Sequence, residues 1–126
     1  MLIVDDSKPI CEAISVIIAT LPDFEFCATA TNETDAIRIV RELQPDIAII
    51  DISLNDSCGM DLVRKIRSID EDLKILVWSL HSEKDYQIIA IKAGATGYIT
   101  KDRAIDGITE ALRQIAAGKH YFMPPL

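Results

Sequence analysis

Short apolar runs alternate along this chain with stretches in which apolar residues recur every three or four positions. Leu2-Ile3-Val4 is the first run, and it stops at two acidic residues. Ile10, Ile14, Ile17, Ile18 and Leu21 follow at helical spacing, and Pro22 ends that helix. Residues 24–30 read as a second strand. Ala36, Ile37, Val40 and Leu43 mark a second helix, closed by Pro45. Ile47-Ala48-Ile49-Ile50 is continuously apolar, as a central strand covered on both faces requires. Leu62, Val63, Ile66 and Ile69 give a third helix, and residues 73–78 a fourth strand. A fourth helix is expected over residues 83–93, ending at Gly94, with a short fifth strand over 97–100. Ile105, Ile108, Leu112 and Ile115 define a fifth helix that stops near Gly118.

Strict strand–helix alternation implies a parallel sheet with helices on both faces. The fold class expected is α/β: a single flavodoxin-like (βα)5 unit, doubly wound, whose five-stranded sheet runs 2-1-3-4-5. Sites in such folds lie at the carboxyl ends of the strands, at the switch point between strands 1 and 3. The length of 126 residues suits one domain, assigned to residues 1–117. Residues 118–126 read as linker, because Pro124 and Pro125 forbid helix and favour extended chain. On the expected fourth helix, Ile88, Ile89 and Ile91 span more than one helical face, so at least one should be exposed.

Charge narrows the possible partners. Lys plus Arg number 13 and Asp plus Glu 20, a net charge of −7. Such a domain repels nucleic-acid phosphate and anionic lipid, so direct DNA binding is not expected. No apolar stretch approaches the roughly 18–20 residues that span a bilayer, and the first residues carry no signal-peptide pattern. The three cysteines, Cys11, Cys27 and Cys58, lack Cys-x-x-Cys spacing. That points to a reducing, cytoplasmic setting and away from zinc.

Candidate chemistry collects at the strand ends. Asp5 and Asp6 follow strand 1, Asp51 strand 3, Ser79 strand 4 and Lys101 strand 5. In the expected order these four strands are neighbours, so three carboxylates, a hydroxyl and an ammonium converge. Two carboxylates about 4 Å apart repel by roughly 4 kcal/mol at an effective dielectric near 20. Either one is protonated or a cation sits among them. Few, oxygen-only protein ligands suit Mg²⁺, whereas Lys101 and Ser79 suit phosphate oxygens. The set reads as an aspartate that accepts a phosphoryl group.

Ile3-Val4-Asp5-Asp6-Ser7, Ile49-Ile50-Asp51-Ile52, Ser79 and the run from Ala93 to Lys101 together resemble the receiver domain of bacterial two-component response regulators. The Ala-Gly-Ala-x-Gly-Tyr-x-x-Lys run and the closing segment from Gly118 are similar to the LuxR/NarL/FixJ subgroup. The resemblance implies Asp51 as phosphoacceptor. It implies Mg²⁺, with Mn²⁺ as a possible substitute, on Asp6, Asp51 and the backbone carbonyl of Ser53, with Asp5 reaching the ion through water. It makes Lys101 the partner of the phosphoryl group, Ser79 and Tyr98 the switch pair, and Ser53 and His81 the residues that tune dephosphorylation. The implied partners are a sensor histidine kinase, a second copy on phosphorylation, and a helix-turn-helix domain in the full-length protein, through which alone DNA would be bound. The domain would catalyse only its own phosphorylation and dephosphorylation and would not be a conventional enzyme. Two positions depart from the common pattern: Asn55 and Asp102 stand where many relatives have proline.

Other readings fit the residues less well. A dinucleotide enzyme would carry Gly-x-Gly-x-x-Gly after strand 1, where Asp5-Asp6-Ser7-Lys8-Pro9 stands. A dehalogenase-like phosphatase would carry a second Asp at position 53. A non-catalytic scaffold would usually have lost part of the acidic pair, the phosphoacceptor or the lysine.

Overall fold

The structure, a computed structural model, describes residues 1–25, 28–52, 59–80, 84–101 and 104–123. In chain order the elements are β1 (Leu2–Val4), α1 (Lys8–Ala19), β2 (Ala28–Ala30), α2 (Glu33–Leu43), β3 (Ile47–Asp51), α3 (Gly59–Ile69), β4 (Lys74–Ser79), α4 (Lys84–Ala93), β5 (Gly97–Thr100), α5 (Ala104–Ala116) and β6 (Tyr121–Met123). The sheet is parallel throughout, in the order β2-β1-β3-β4-β5-β6.

Strand alternation divides the core in two. Leu2, Val4, Ile50, Val77 and Tyr98 point to the side covered by α2, α3 and α4. Ile3, Ile49, Leu76, Trp78 and Ile99 point to the side covered by α1 and α5. Successive strand residues face opposite ways, so a strand buried on both sides has to be apolar at every position. Local signals set the helix ends. Pro9 sits in the first turn of α1, where a missing N–H costs nothing. Asn32 caps α2, its side chain accepting from the Asp35 N–H at 2.8 Å. Gln44 turns left-handed, with φ 48°, ahead of Pro45.

The five expected strands are present in the expected order, with four differences: the third runs one residue longer, so Asp51 ends it, and the others follow. The second strand is shorter than residues 24–30, since Phe24 and Glu25 precede it without pairing. The fourth runs one residue later, so Ser79 ends it. A sixth strand adds to the five: part of the expected linker, Tyr121–Met123, pairs in parallel with β5. The helical stop at Gly118 frees three successive apolar residues to run back along the sheet edge.

Among the described residues, no helix is long and apolar enough to cross a membrane. Cys11 is buried, while Cys27 and Cys58 lie outside the described residues, as do Asn55 and Asp102.

Candidate functional site

The carboxyl ends of β1, β3 and β5 bring four of the expected residues together. Asp5 follows β1 and is 2% exposed. Its Oδ1 accepts the Ser7 N–H at 2.9 Å, at the start of α1. Asp51 ends β3, opposite Trp78 of β4, and is also 2% exposed. Lys101, just past β5, places its Nζ 3.2 Å from Asp51 Oδ2 and 3.5 Å from Asp5 Oδ2. Asp6 is less buried, and one carboxylate oxygen from each of Asp5, Asp6 and Asp51 lies within 4.8 Å of the others.

The charges do not balance. Among the described residues, three carboxylates against one ammonium leave a formal −2 in a site mostly closed to water. Asp5 registers the imbalance: burial, chiefly, with the nearby Asp51 and Asp6 charges, pushes its carboxyl above the ordinary aspartate range. The Ser7 N–H and Lys101 oppose that shift without cancelling it. Among the described residues Asp5 Oδ2 accepts no hydrogen bond, and the one compensating charge is the ammonium 3.5 Å away. An orphaned buried carboxylate oxygen beside two more carboxylates fits a hard divalent cation. Asp5, Asp6 and Asp51 are the side chains able to hold one.

Ser79 and Tyr98 lie on the other face of the sheet. Val77 of β4 is in register with Tyr98, and Ser79 with Thr100. Ser79 is therefore diagonal to Tyr98, two residues further along the adjacent strand. Ser79, Tyr98 and Thr100 are all buried. Tyr98 is 0% exposed and so fully enclosed. All three isoleucines of α4 reach solvent: Ile88, Ile89 and Ile91 are 42%, 41% and 39% exposed. Ser53 and His81 lie outside the described residues.

Gly59 is a supporting residue that the pattern of apolar and charged positions did not mark. It opens α3 directly against the backbone that carries Asp51, its N–H donating to Ile52 O at 3.1 Å. A Cβ there would run into Ile52 Cα and the Asp51 carbonyl oxygen. Only glycine lets α3 approach so closely. Its position at the end of a polar loop, just before a helical apolar pattern, was the one available signal.

A doubly wound parallel sheet with an acidic cluster and a lysine at its carboxyl edge defines a class, and comparison with known proteins agrees. Residues 1–113 match the family model described as the response regulator receiver domain. The chain belongs to that family. It is 31% identical over 124 residues to the transcriptional regulatory protein DegU of Brevibacillus brevis, covering 98% of this chain and 52% of that protein. It is 28% identical over 119 residues to the nitrate/nitrite response regulator protein NarL of Escherichia coli, covering 94% and 55%. The chemotaxis protein CheY of Thermotoga maritima is 35% identical over 116 residues, covering 92% and 96%. Among solved structures, a LuxR-family two-component response regulator from Aurantimonas sp. superposes with a TM-score of 0.93 at 31% identity, covering 98% of this chain and 88% of that one. These relatives make this a LuxR/NarL-type receiver domain. The chain spans about half the length of the transcriptional regulators it matches.

Proposed function

We propose that Asp51 accepts a phosphoryl group from a sensor histidine kinase or a small phosphodonor, and that the domain thereby works as the input switch of a transcriptional regulator in the cytoplasm. The observation that carries this reading is the buried Asp51 carboxylate, held 3.2 Å from Lys101 Nζ with Asp5 and Asp6 beside it.

The Asp51 carboxylate oxygen attacks phosphorus. An O–P bond forms, and the donor's bond to phosphorus breaks, its electron pair leaving with the donor. Asp51 is at the end of a rigid central strand, so little motion is spent on aiming it. Lys101 exchanges its 3.2 Å contact with Asp51 for the phosphoryl oxygens, and Ser79, at the end of the neighbouring β4, turns its hydroxyl to donate to one of them. Asp6, Asp51 and the Ser53 carbonyl would hold Mg²⁺ (or Mn²⁺), with Asp5 linked through water. The ion supplies positive charge for the equatorial oxygens of the phosphoryl group. The roles expected of Ser53 and His81 in tuning dephosphorylation fall on residues outside the described ones.

The output follows from adding charge and acceptors at one point. Ser79 moves toward the phosphoryl oxygens, and Tyr98, diagonal to it, packs into the space released. The β5 surface with α4 and α5 then changes shape, a population shift between two packings. This surface controls self-association and, through a helix-turn-helix domain joined by the segment from residue 118 in the full-length protein, the binding of DNA. The exposed isoleucines of α4 support an interaction role for that surface.

Intact mass after incubation with acetyl phosphate tests the reading. One phosphoryl group should be gained with Mg²⁺ present and none with chelator, and Asp51→Asn should gain none. Label on another residue in Asp51→Asn, or no gain by the unmodified chain from acetyl phosphate, phosphoramidate or a histidine kinase, would sink it. Size-exclusion chromatography of the same samples reads out self-association.

A further inference from the structure

The sixth strand reaches the switch directly. Phe122 of β6 is in register with Tyr98 of β5, which is in register with Val77 of β4. Paired residues of parallel strands project to the same face, so Val77, Tyr98 and Phe122 form one row across three strands, with Ser79 one step above Val77. Phe122 packs against the core cluster that encloses Tyr98, while Tyr121 packs against the cluster on the opposite side. The tail is thus fastened on both faces of the sheet and not merely laid along its edge.

The fit is built into β5. Gly97 faces Tyr121 in the pairing, and a Cβ at Gly97 would stand 2.8 Å from the Tyr121 carbonyl oxygen. Any side chain at position 97 would push β6 away. The Tyr121 N–H adds a hydrogen bond to Thr96 O at 3.4 Å, and the His120 ring stacks on Phe122 with centroids 6.2 Å apart.

We infer that Tyr121–Met123 is a docking strap whose attachment to β5 is positively coupled to the phosphorylation state of Asp51. The inference rests on the phosphoacceptor reading above. With the strap in place Tyr98 stands in the row between Val77 of β4, with Ser79 one step above it, and Phe122 of β6. To turn out of the core the ring has to displace Phe122. Strap docking therefore favours the enclosed ring. Movement of Ser79 toward a phosphoryl group favours the same enclosed ring by making room on the β4 side. Two events that select one side-chain position help each other, and the coupling is reciprocal. Phosphorylation would tighten β6 on the sheet and so fix the direction in which the chain leaves the domain.

The test uses the 126-residue chain with beryllofluoride and Mg²⁺ as a stable phosphoryl mimic. Binding is followed by fluorescence of Trp78, the chain's one tryptophan, which lies opposite Asp51. Amide hydrogen exchange over residues 121–123 should slow by about tenfold when the mimic binds. By reciprocity, Phe122→Ala should weaken apparent beryllofluoride affinity by about three- to tenfold. Gly97→Ala, whose Cβ would push the Tyr121 carbonyl and with it the strap off β5 while keeping the Tyr98 and Phe122 side chains unsubstituted, should do the same, so the result does not hang on one altered core residue. Circular dichroism checks that both variants fold. Bound beryllofluoride with unchanged or faster exchange at 121–123 overturns the strap alone, as does unchanged affinity in both folded variants. Absence of any mimic binding or phosphoryl gain by the unmodified chain overturns the strap and the phosphoacceptor reading together.

Discussion

Helices α3 and α4 are neighbours on the same face of the sheet, of nearly equal length, yet they are attached in opposite ways. Helix α3 buries Met60, Leu62, Val63 and Ile66. Helix α4 buries Gln87, Ala90 and Ala93 and turns Ile88, Ile89 and Ile91 partly to solvent. A fully buried aliphatic side chain stabilises by about 1.5–3 kcal/mol, so α3 is held by several such contributions and α4 by much less apolar area. What secures α4 is a strut from α3. The Arg67 guanidinium donates twice to Gly94 O, at 2.7 and 3.1 Å, and to the Asp70 and Glu71 carbonyls at 3.2 and 2.8 Å. Burial holds this guanidinium below its ordinary pKa without discharging it. Helix α4 is therefore tied at its C-terminal end and lightly seated elsewhere. That suits an element expected to shift with the switch, whereas α3, pressed against the Asp51 backbone through Gly59, suits a fixed wall.

The largest expected effect lies in α3. Ile66→Ala should lower the unfolding free energy by about 2–5 kcal/mol in urea denaturation. A loss below about 1 kcal/mol would show that α3 is no better anchored than α4. Next comes the strut. Arg67→Met keeps the apolar stem but leaves three carbonyl groups without their donor, costing about 1–3 kcal/mol. Amide exchange should then quicken in α4 more than in α3, and equal quickening in both would break the comparison.

Asp5→Asn probes the sheet edge that both helices share. Because the folded Asp5 carboxyl is held above its ordinary value, its contribution favours folding below about pH 4, where the unfolded carboxyl is also protonated. That contribution is lost as pH rises through the folded value. The variant should therefore match the parent in Tm at low pH and exceed it at neutral pH without divalent cations. Added Mg²⁺ should narrow or reverse the gap by stabilising the parent. A neutral-pH Tm below the parent's would mean that the Lys101 contact outweighs burial and repulsion. The smallest effect belongs to the solvent side of α4: Ile89→Ser should change stability by no more than about 0.5 kcal/mol. A loss above 1.5 kcal/mol, read by the same urea curves, would show that this face is packed and not presented.

Most of the architecture was legible because its signals are local. Uninterrupted apolar runs can only be strands covered on both sides, and the prolines and glycines between them fall where helices must stop. The acidic pair, Asp51 and Lys101 were legible for a different reason: a parallel sheet in the 2-1-3-4-5 order forces its strand ends together wherever the residues stand in the chain. Asp5, Asp6, Asp51 and Lys101 meet accordingly. Ser53 and His81, expected from the resemblance, fall outside the described residues.

What the sequence determined by itself was the alternation, the face each strand residue takes and the charge collected at one edge, since all three depend on spacing along the chain and on the handedness of its crossovers. Tertiary structure alone decided the rest. Tyr98 is fully enclosed in a core to which Phe122, 24 residues further on and paired beside it, contributes. The sequence required at least one isoleucine of α4 at the surface, and the inward packing of Gln87, Ala90 and Ala93 put all three there. Gly59 and Gly97 matter because a distant backbone passes where a Cβ would stand. Each of these depends on which remote segment arrives as a neighbour, and no periodicity along a single chain records that.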